Sequence, residues 1–143
     1  MNSQELNFSR LLHLTALAWR QAIDRRMKDD GLSMSSWMAV ATLARQSEPM
    51  NQKELAQVLG LEDATVVPII ERLVKQQLVE RFQPAEDRRK RLLLVTPKGI
   101  ELFKKLSVES DKLRDELLVN ISRDELAVTQ RVLQKLLKAT EAK

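Results

Sequence analysis

The sequence predicts a mainly α-helical chain that carries one small β wing, and three observations predict it. Glycine and proline number only three and four among 143 residues, so long stretches run without a breaker. Apolar residues recur at three- and four-residue spacing along most of those stretches. Only residues 78–82 and 91–95 read as short strands rich in branched and apolar side chains, and the polar segment between them holds Pro84, a turn signal.

The first helix is expected over about 6–29. Phe8, Leu11, Leu12, Trp19, Ala22, Ile23 and Met27 form one stripe, and Leu14 and Leu17 add a second apolar edge. A helix apolar on more than one face needs cover from more than one side, and in so short a chain a second subunit is a natural source. Gly31 is a plausible stop. Ser33 or Ser35 can cap the next helix, about 36–46, with Trp37, Val40, Ala41 and Leu43 facing inward. Pro49 punctuates the chain, and Asn51 with Glu54 has capping-box spacing ahead of a helix over 52–59. Gly60 and Leu61 turn the chain into a further helix over about 63–77.

Two short helices joined by a tight, glycine-containing turn form a helix-turn-helix pattern. That pattern alone is weak, because many helical hairpins share it. The hairpin that follows sharpens it into a winged arrangement, whose tip Asp87-Arg88-Arg89-Lys90 gathers charge on a protruding loop. The window 81–91 alone carries +3 of the chain's net +4. Thr96 caps and Pro97 opens a helix to about residue 120, where Phe103, Leu106, Leu113 and Leu117 keep a near-heptad spacing broken at Ser110. Ser122 and Glu125 make a full capping box for a last helix striped by Leu126, Leu133, Leu136 and Leu137. The chain therefore reads as one domain, 1–143. Its winged helix-turn-helix region is about 33–96, and its helices at 5–30 and 97–143 are suited to dimerisation.

Composition narrows the function. With no cysteine, disulfides, thiolate metal sites and a cysteine redox switch are excluded, and a reducing, cytoplasmic setting is expected. One histidine, His13, makes a metal cluster or a serine triad a poor reading, and no glycine-rich phosphate loop is present, so the chain is not expected to be an enzyme or to need a cofactor. Aromatic residues at 3% argue against a base-stacking platform for single strands. At 31% charged residues, no stretch approaches the roughly 18 apolar residues a membrane span needs, and the N-terminus has no basic region ahead of an apolar run.

The segment Asp87-Arg88-Arg89-Lys90-Arg91-Leu92-Leu93-Leu94-Val95-Thr96-Pro97-Lys98-Gly99 closely resembles the wing signature of the MarR family of bacterial transcriptional regulators: Asp-x-Arg, five residues, then Leu-Thr-x-x-Gly. Val95 in place of leucine is the one departure. Residues 52–61 resemble the first helix of the family's reader, while Trp19-Arg20, Asp24-Arg25-Arg26 and residues 32–37 resemble its SlyA-like branch.

The resemblance implies a homodimer with interlocking terminal helices, bound to a pseudo-palindromic, A·T-flanked duplex. Recognition helices would enter major grooves and wing tips the minor grooves. It also implies relief by a small anionic aromatic effector, such as an aromatic carboxylate. On this reading Asp63, Ala64, Thr65 and Val66 open the recognition helix, and Arg89 enters the minor groove with Asp87 holding its guanidinium by a bidentate contact. Arg88, Lys90 and Arg91 meet phosphates or stay in water. His13, Trp19, Arg20, Met34 and Trp37 are candidates for the effector pocket, although tryptophans at helical spacing are as readily core.

Two positions depart from the family pattern. Pro68 stands where many relatives carry a basic or polar residue, so the recognition helix should bend there or begin later; Gln77 stands where they carry glycine. The competing reading is a winged-helix module that binds protein rather than DNA.

Overall fold

The computed structural model describes residues 2–141; residue 1 and residues 142–143, the outer ends of the domain span, lie outside the described residues. A 3₁₀ turn at Ser3–Glu5 precedes α1 (Phe8–Met27), which runs on through a second 3₁₀ turn, Lys28–Asp30. Then come α2 (Met34–Arg45), β1 (Met50–Asn51), α3 (Gln52–Leu59), α4 (Asp63–Lys75), β2 (Val79–Phe82), β3 (Leu92–Val95), α5 (Pro97–Leu117) and α6 (Arg123–Glu141). The chain divides into two compact units, Met1–Glu109 and Ser110–Lys143, with the boundary inside α5 at the serine that breaks its heptad spacing.

Local chemistry sets the helix ends. Asn7 accepts a hydrogen bond from the Arg10 N–H, so α1 begins at Phe8 rather than at residue 6. Gly31 takes φ 73°, the left-handed conformation that closes the 3₁₀ turn, and its N–H reaches the Lys28 carbonyl at 3.0 Å. Of the two serines proposed as the cap of α2, Ser33 serves: its Oγ accepts from the Ser36 N–H at 3.2 Å, and the helix starts two residues earlier than predicted. The Asn51–Glu54 capping box is present in both directions, at 2.7 and 3.1 Å. Ser122 and Glu125 repeat it on α6, at 3.0 and 3.1 Å.

The Ser122 contacts, backbone first and hydroxyl second, hold the Glu125 carboxyl below the ordinary glutamate value. A depressed folded-state value means that the cap's contribution is present above the unfolded glutamate pKa and is lost as pH falls through the folded one. The Glu125 carboxyl should therefore titrate below the ordinary glutamate value in an NMR pH series, and Ser122→Ala, which removes the hydroxyl contact and keeps the backbone N–H, should raise it part of the way back. An unchanged titration in that variant would contradict the capping assignment.

The sheet has the order β1-β3-β2, antiparallel throughout, with Val79 opposite Val95 and Phe82 opposite Leu92. β1 was not foreseen. It is two residues long and pairs Met50 with Leu93 and Asn51 with Leu92; no alternation can register over two residues. The core of the first unit is made of Ile23, Met27, Leu32, Val40, Leu43, Leu55, Val66, Ile70, Leu73, Val79, Leu93 and Leu106, each at most 8% exposed.

Helix α4 starts at Asp63, where the sequence placed it, and continues through Pro68, so the later start does not occur. Pro68 has no N–H for the Ala64 carbonyl. Both residues are exposed, so water can satisfy that oxygen, whereas burial would leave it unpaired. The helix ends at Lys75, two residues before the predicted stop, because Gln77 adopts φ 64°. A non-glycine residue there costs roughly 1–2 kcal/mol. Local bonds hold the geometry: Gln77 N–H to the Val74 carbonyl at 3.0 Å, Leu78 N–H to the Leu73 carbonyl at 3.0 Å, and Thr96 Oγ1 to the Gln77 carbonyl at 2.7 Å. Thr96 also caps α5, accepting from the Gly99 N–H at 3.0 Å.

No helix of the described residues is long and apolar enough to cross a membrane. The helices carry much uncovered apolar surface. On α1, Phe8, Leu11, Leu12 and Leu17 are exposed; on α6 no residue is buried, and Val128, Val132, Leu133 and Leu137 face out.

Candidate nucleic-acid interface

Packing of α4 decides which of its residues can touch a partner. Val66, Ile70 and Leu73, at i, i+4 and i+7, are all 0% exposed and fasten one stripe to the core. Asp63, Ala64 and Thr65 lie on the exposed surface as expected. Val66 does not: it belongs to the core stripe and is withdrawn from the contact set. Sequence reasoning missed Val67, which is 37% exposed, whereas Pro68 is exposed, in keeping with the position expected of it. The same i, i+4, i+7 spacing could have revealed Val67.

The wing tip is folded rather than loose. The Asp87 N–H bonds to the Pro84 carbonyl at 3.3 Å and the Lys90 N–H to the Asp87 carbonyl at 3.1 Å, while Pro84 is buried beneath. Gln83 Nε2 donates to the Arg88 carbonyl. One carboxylate oxygen of Asp87 accepts both the Arg89 backbone N–H, at 3.1 Å, and Arg89 Nε, at 3.2 Å. The expected bidentate clamp is thus a single-oxygen contact that engages Nε and leaves the terminal nitrogens of the guanidinium outside it. The Arg89 side chain is 92% exposed, so this pair adds little stability; its effect is to aim the arginine. Arg88, Lys90 and Arg91 are exposed around it. Arg89, Lys90 and Arg91 line one concavity of about 920 Å³ with Asp63 of α4 and with Gln52 and Lys53 of α3. The wing cations and the start of α4 therefore share a concave face.

The five residues proposed for an effector pocket do not converge. Arg20 and Met34 line a hollow of about 220 Å³ with Ala16, Ser35, Met38 and Leu59, below the roughly 300–1,000 Å³ of most ligand sites. Arg20 Nη2 donates to Ser35 Oγ there at 2.8 Å. Trp37 is a core residue, 5% exposed and stacked on Phe103 with ring centroids 5.7 Å apart, while the Arg45 guanidinium covers the same phenyl ring at 5.4 Å. His13 is exposed and Trp19 half-buried, and neither lines the hollow. A larger hollow, about 500 Å³, lies beside Gln76 and Lys98. At its edge a hydrogen bond to Asp30 at 2.8 Å holds the Lys105 ammonium above the ordinary lysine value. Among the described residues no cluster of histidine, aspartate and glutamate could hold a metal ion.

A helix pair whose second helix turns a face outward, followed at once by a hairpin with a cationic tip, defines the winged helix-turn-helix class. Residues 32–90 match the MarR family. The structure is similar to that of transcriptional regulator PA3341, with 36% identity, 96% of this chain and 100% of that chain covered and a TM-score of 0.86. It also shares its fold with S. aureus MepR in a DNA complex (21% identity, 94% and 99% covered, TM-score 0.87). CouR from Rhodococcus jostii RHA1, bound to p-coumaroyl-CoA, is a third structure of this fold (21% identity, 95% and 94% covered, TM-score 0.84). The chain belongs to the MarR family, whose members are transcriptional regulators.

Proposed function

We propose that this chain is a homodimeric, cytoplasmic regulator of transcription of the SlyA-like branch. It binds pseudo-palindromic double-stranded DNA with α4 in the major groove and the wing arginine in a flanking, A·T-rich minor groove. The observation that carries this reading is Arg89, held at its Nε by Asp87 and otherwise exposed, on the concave face that the wing shares with the start of α4. A narrow minor groove concentrates negative potential and favours an inserted arginine. The uncovered apolar faces of α1 and α6 support a second subunit as partner. Asp24, one of the branch-like residues, accepts a hydrogen bond from the Met34 N–H and so joins α1 to the start of α2. The domain is read as a single functional module, 1–143, with the winged region at 33–96.

Selection of bound duplexes from a random pool, followed by salt titration on the winner, tests the proposal. If the dimer neutralises roughly six phosphates, log K should fall against log salt with a slope of about −5. A slope near zero would remove the phosphate-driven mechanism, and failure to select any duplex would favour the protein-binding module instead.

Within the wing, Arg89→Ala should weaken binding by about 1 kcal/mol more than Lys90→Ala does. The first loses a groove contact, the second one screened phosphate contact. Equal losses in parallel titrations would mean that the wing acts as diffuse charge.

The relative bound to p-coumaroyl-CoA supports a ligand-relieved regulator as the wider reading, with small aromatic carboxylates as the effector class and Arg20 as the cation that lines the small hollow. Displacement of the selected duplex by such compounds is its test.

A further inference from the structure

In its first two turns, α4 turns an apolar patch outward where a base-reading helix would be expected to carry long hydrogen-bonding side chains. Ala64, Val67 and Pro68 stand at i, i+3 and i+4 and so form one patch, with Ala64 and Pro68 on the side away from Val66, Ile70 and Leu73. All three are exposed, as is Thr65. The first two turns, 63–69, contain no arginine, lysine, asparagine or glutamine. The bidentate contacts by which arginine reads guanine and asparagine or glutamine reads adenine are therefore not available there. A major groove offers one apolar feature to such a face, the C5-methyl group of thymine. The cations that would hold the patch against DNA lie beside it, since Asp63, one residue before Ala64, shares a concavity with Arg89, Lys90 and Arg91.

We propose that Ala64, Val67 and Pro68 are specificity-determining residues that read thymine methyl groups in the major groove. The proposal rests on the DNA-binding reading above and specifies what α4 recognises. Proline suits the task because its ring presents three methylenes on a backbone position that carries no N–H. Within these two turns guanine's acceptors O6 and N7 meet no long-chain donor, and the nearest on this helix is Arg72, exposed one turn beyond Pro68.

The test alters the DNA and leaves the protein intact. In a selected duplex, every thymine of the two central half-sites is replaced by deoxyuridine, which lacks the methyl group and keeps all hydrogen-bonding groups. A control duplex carries the replacement only in the flanks. One methyl lost per half-site should weaken binding by roughly fourfold, and the two half-sites together by at least about tenfold, with the flank control unchanged. Pro68→Gln and Val67→Ser should each reduce that discrimination. Equal affinity for the thymine and uracil duplexes overturns the methyl reading and leaves DNA binding standing. Failure to bind any duplex overturns both. Discrimination unchanged in both variants places the methyl contacts elsewhere and overturns the assignment to these residues.

Discussion

Replacing Gly99 by alanine should cost more than about 3 kcal/mol and lower the melting temperature by roughly 10 °C. The reason is space rather than backbone conformation. A Cβ on Gly99 would stand 2.3 Å from the Leu78 carbonyl oxygen and 2.6 Å from Val95 Cγ1. The first of these is backbone and cannot rotate away. That carbonyl also accepts the Thr96 N–H at 3.1 Å, in the junction where Thr96 bonds to Gln77 and caps α5. Relieving the clash would break this joint between the end of α4, the start of β2 and the start of α5. Gly60 makes a clean contrast: it sits at φ 68° with nothing within 4 Å of a Cβ, so Gly60→Ala should cost only the left-handed strain, about 1 kcal/mol. Thermal or denaturant melts of the two variants check the pair, and equal losses would mean that Gly99 is not held by contact.

Where sequence and structure agree, one local interaction decides the matter. The capping boxes at Asn51 and Ser122, the Thr96-Pro97 start and the Gly31 stop involve partners at most a few residues apart, so their spacing is visible in the chain. The wing strands were legible for a related reason, each needing loss by only one residue at its outer or inner end. β1 was not legible, because what makes Met50 and Asn51 a strand is Leu92 and Leu93, some forty residues away. Within the site, the exposure of Asp63, Ala64 and Thr65 was foreseen, but the phase of α4 was misjudged by one residue. Val66 and Val67 are identical in chemistry, and only the core stripe through Ile70 and Leu73 assigns one to the interior and the other to the surface. Trp37 was ambiguous in the same way: its partner Phe103 comes from α5, and sequence distance conceals the stack.

Removing residues from Leu126 onward should convert the protein to a monomer and weaken duplex binding by about 10²–10⁴. The case begins with the surface of α6. None of its described residues is buried within the chain, although Val128, Val132, Leu133 and Leu137 are between 41% and 62% exposed. At roughly 25 cal/mol per Å², leaving several such side chains in water forgoes a stabilisation that a second subunit would supply. The apolar residues of α1 from Phe8 to Leu17 present the same unmet demand at the other end of the chain. In a pseudo-palindromic site each subunit reads one half, so a monomer loses the effective concentration that makes the second contact nearly intramolecular. The core of the unit Met1–Glu109 contains no residue of α6, so the truncated chain should retain a cooperative melt of its winged region. Two charge-introducing variants of the full chain, Leu133→Glu and Leu137→Glu, reach the same end without shortening it. Sedimentation of all three proteins, with duplex titrations beside them, gives the answer. A truncated chain that still sediments as a dimer would refute the role assigned to α6, whereas a monomer that keeps full duplex affinity would refute two-half-site reading.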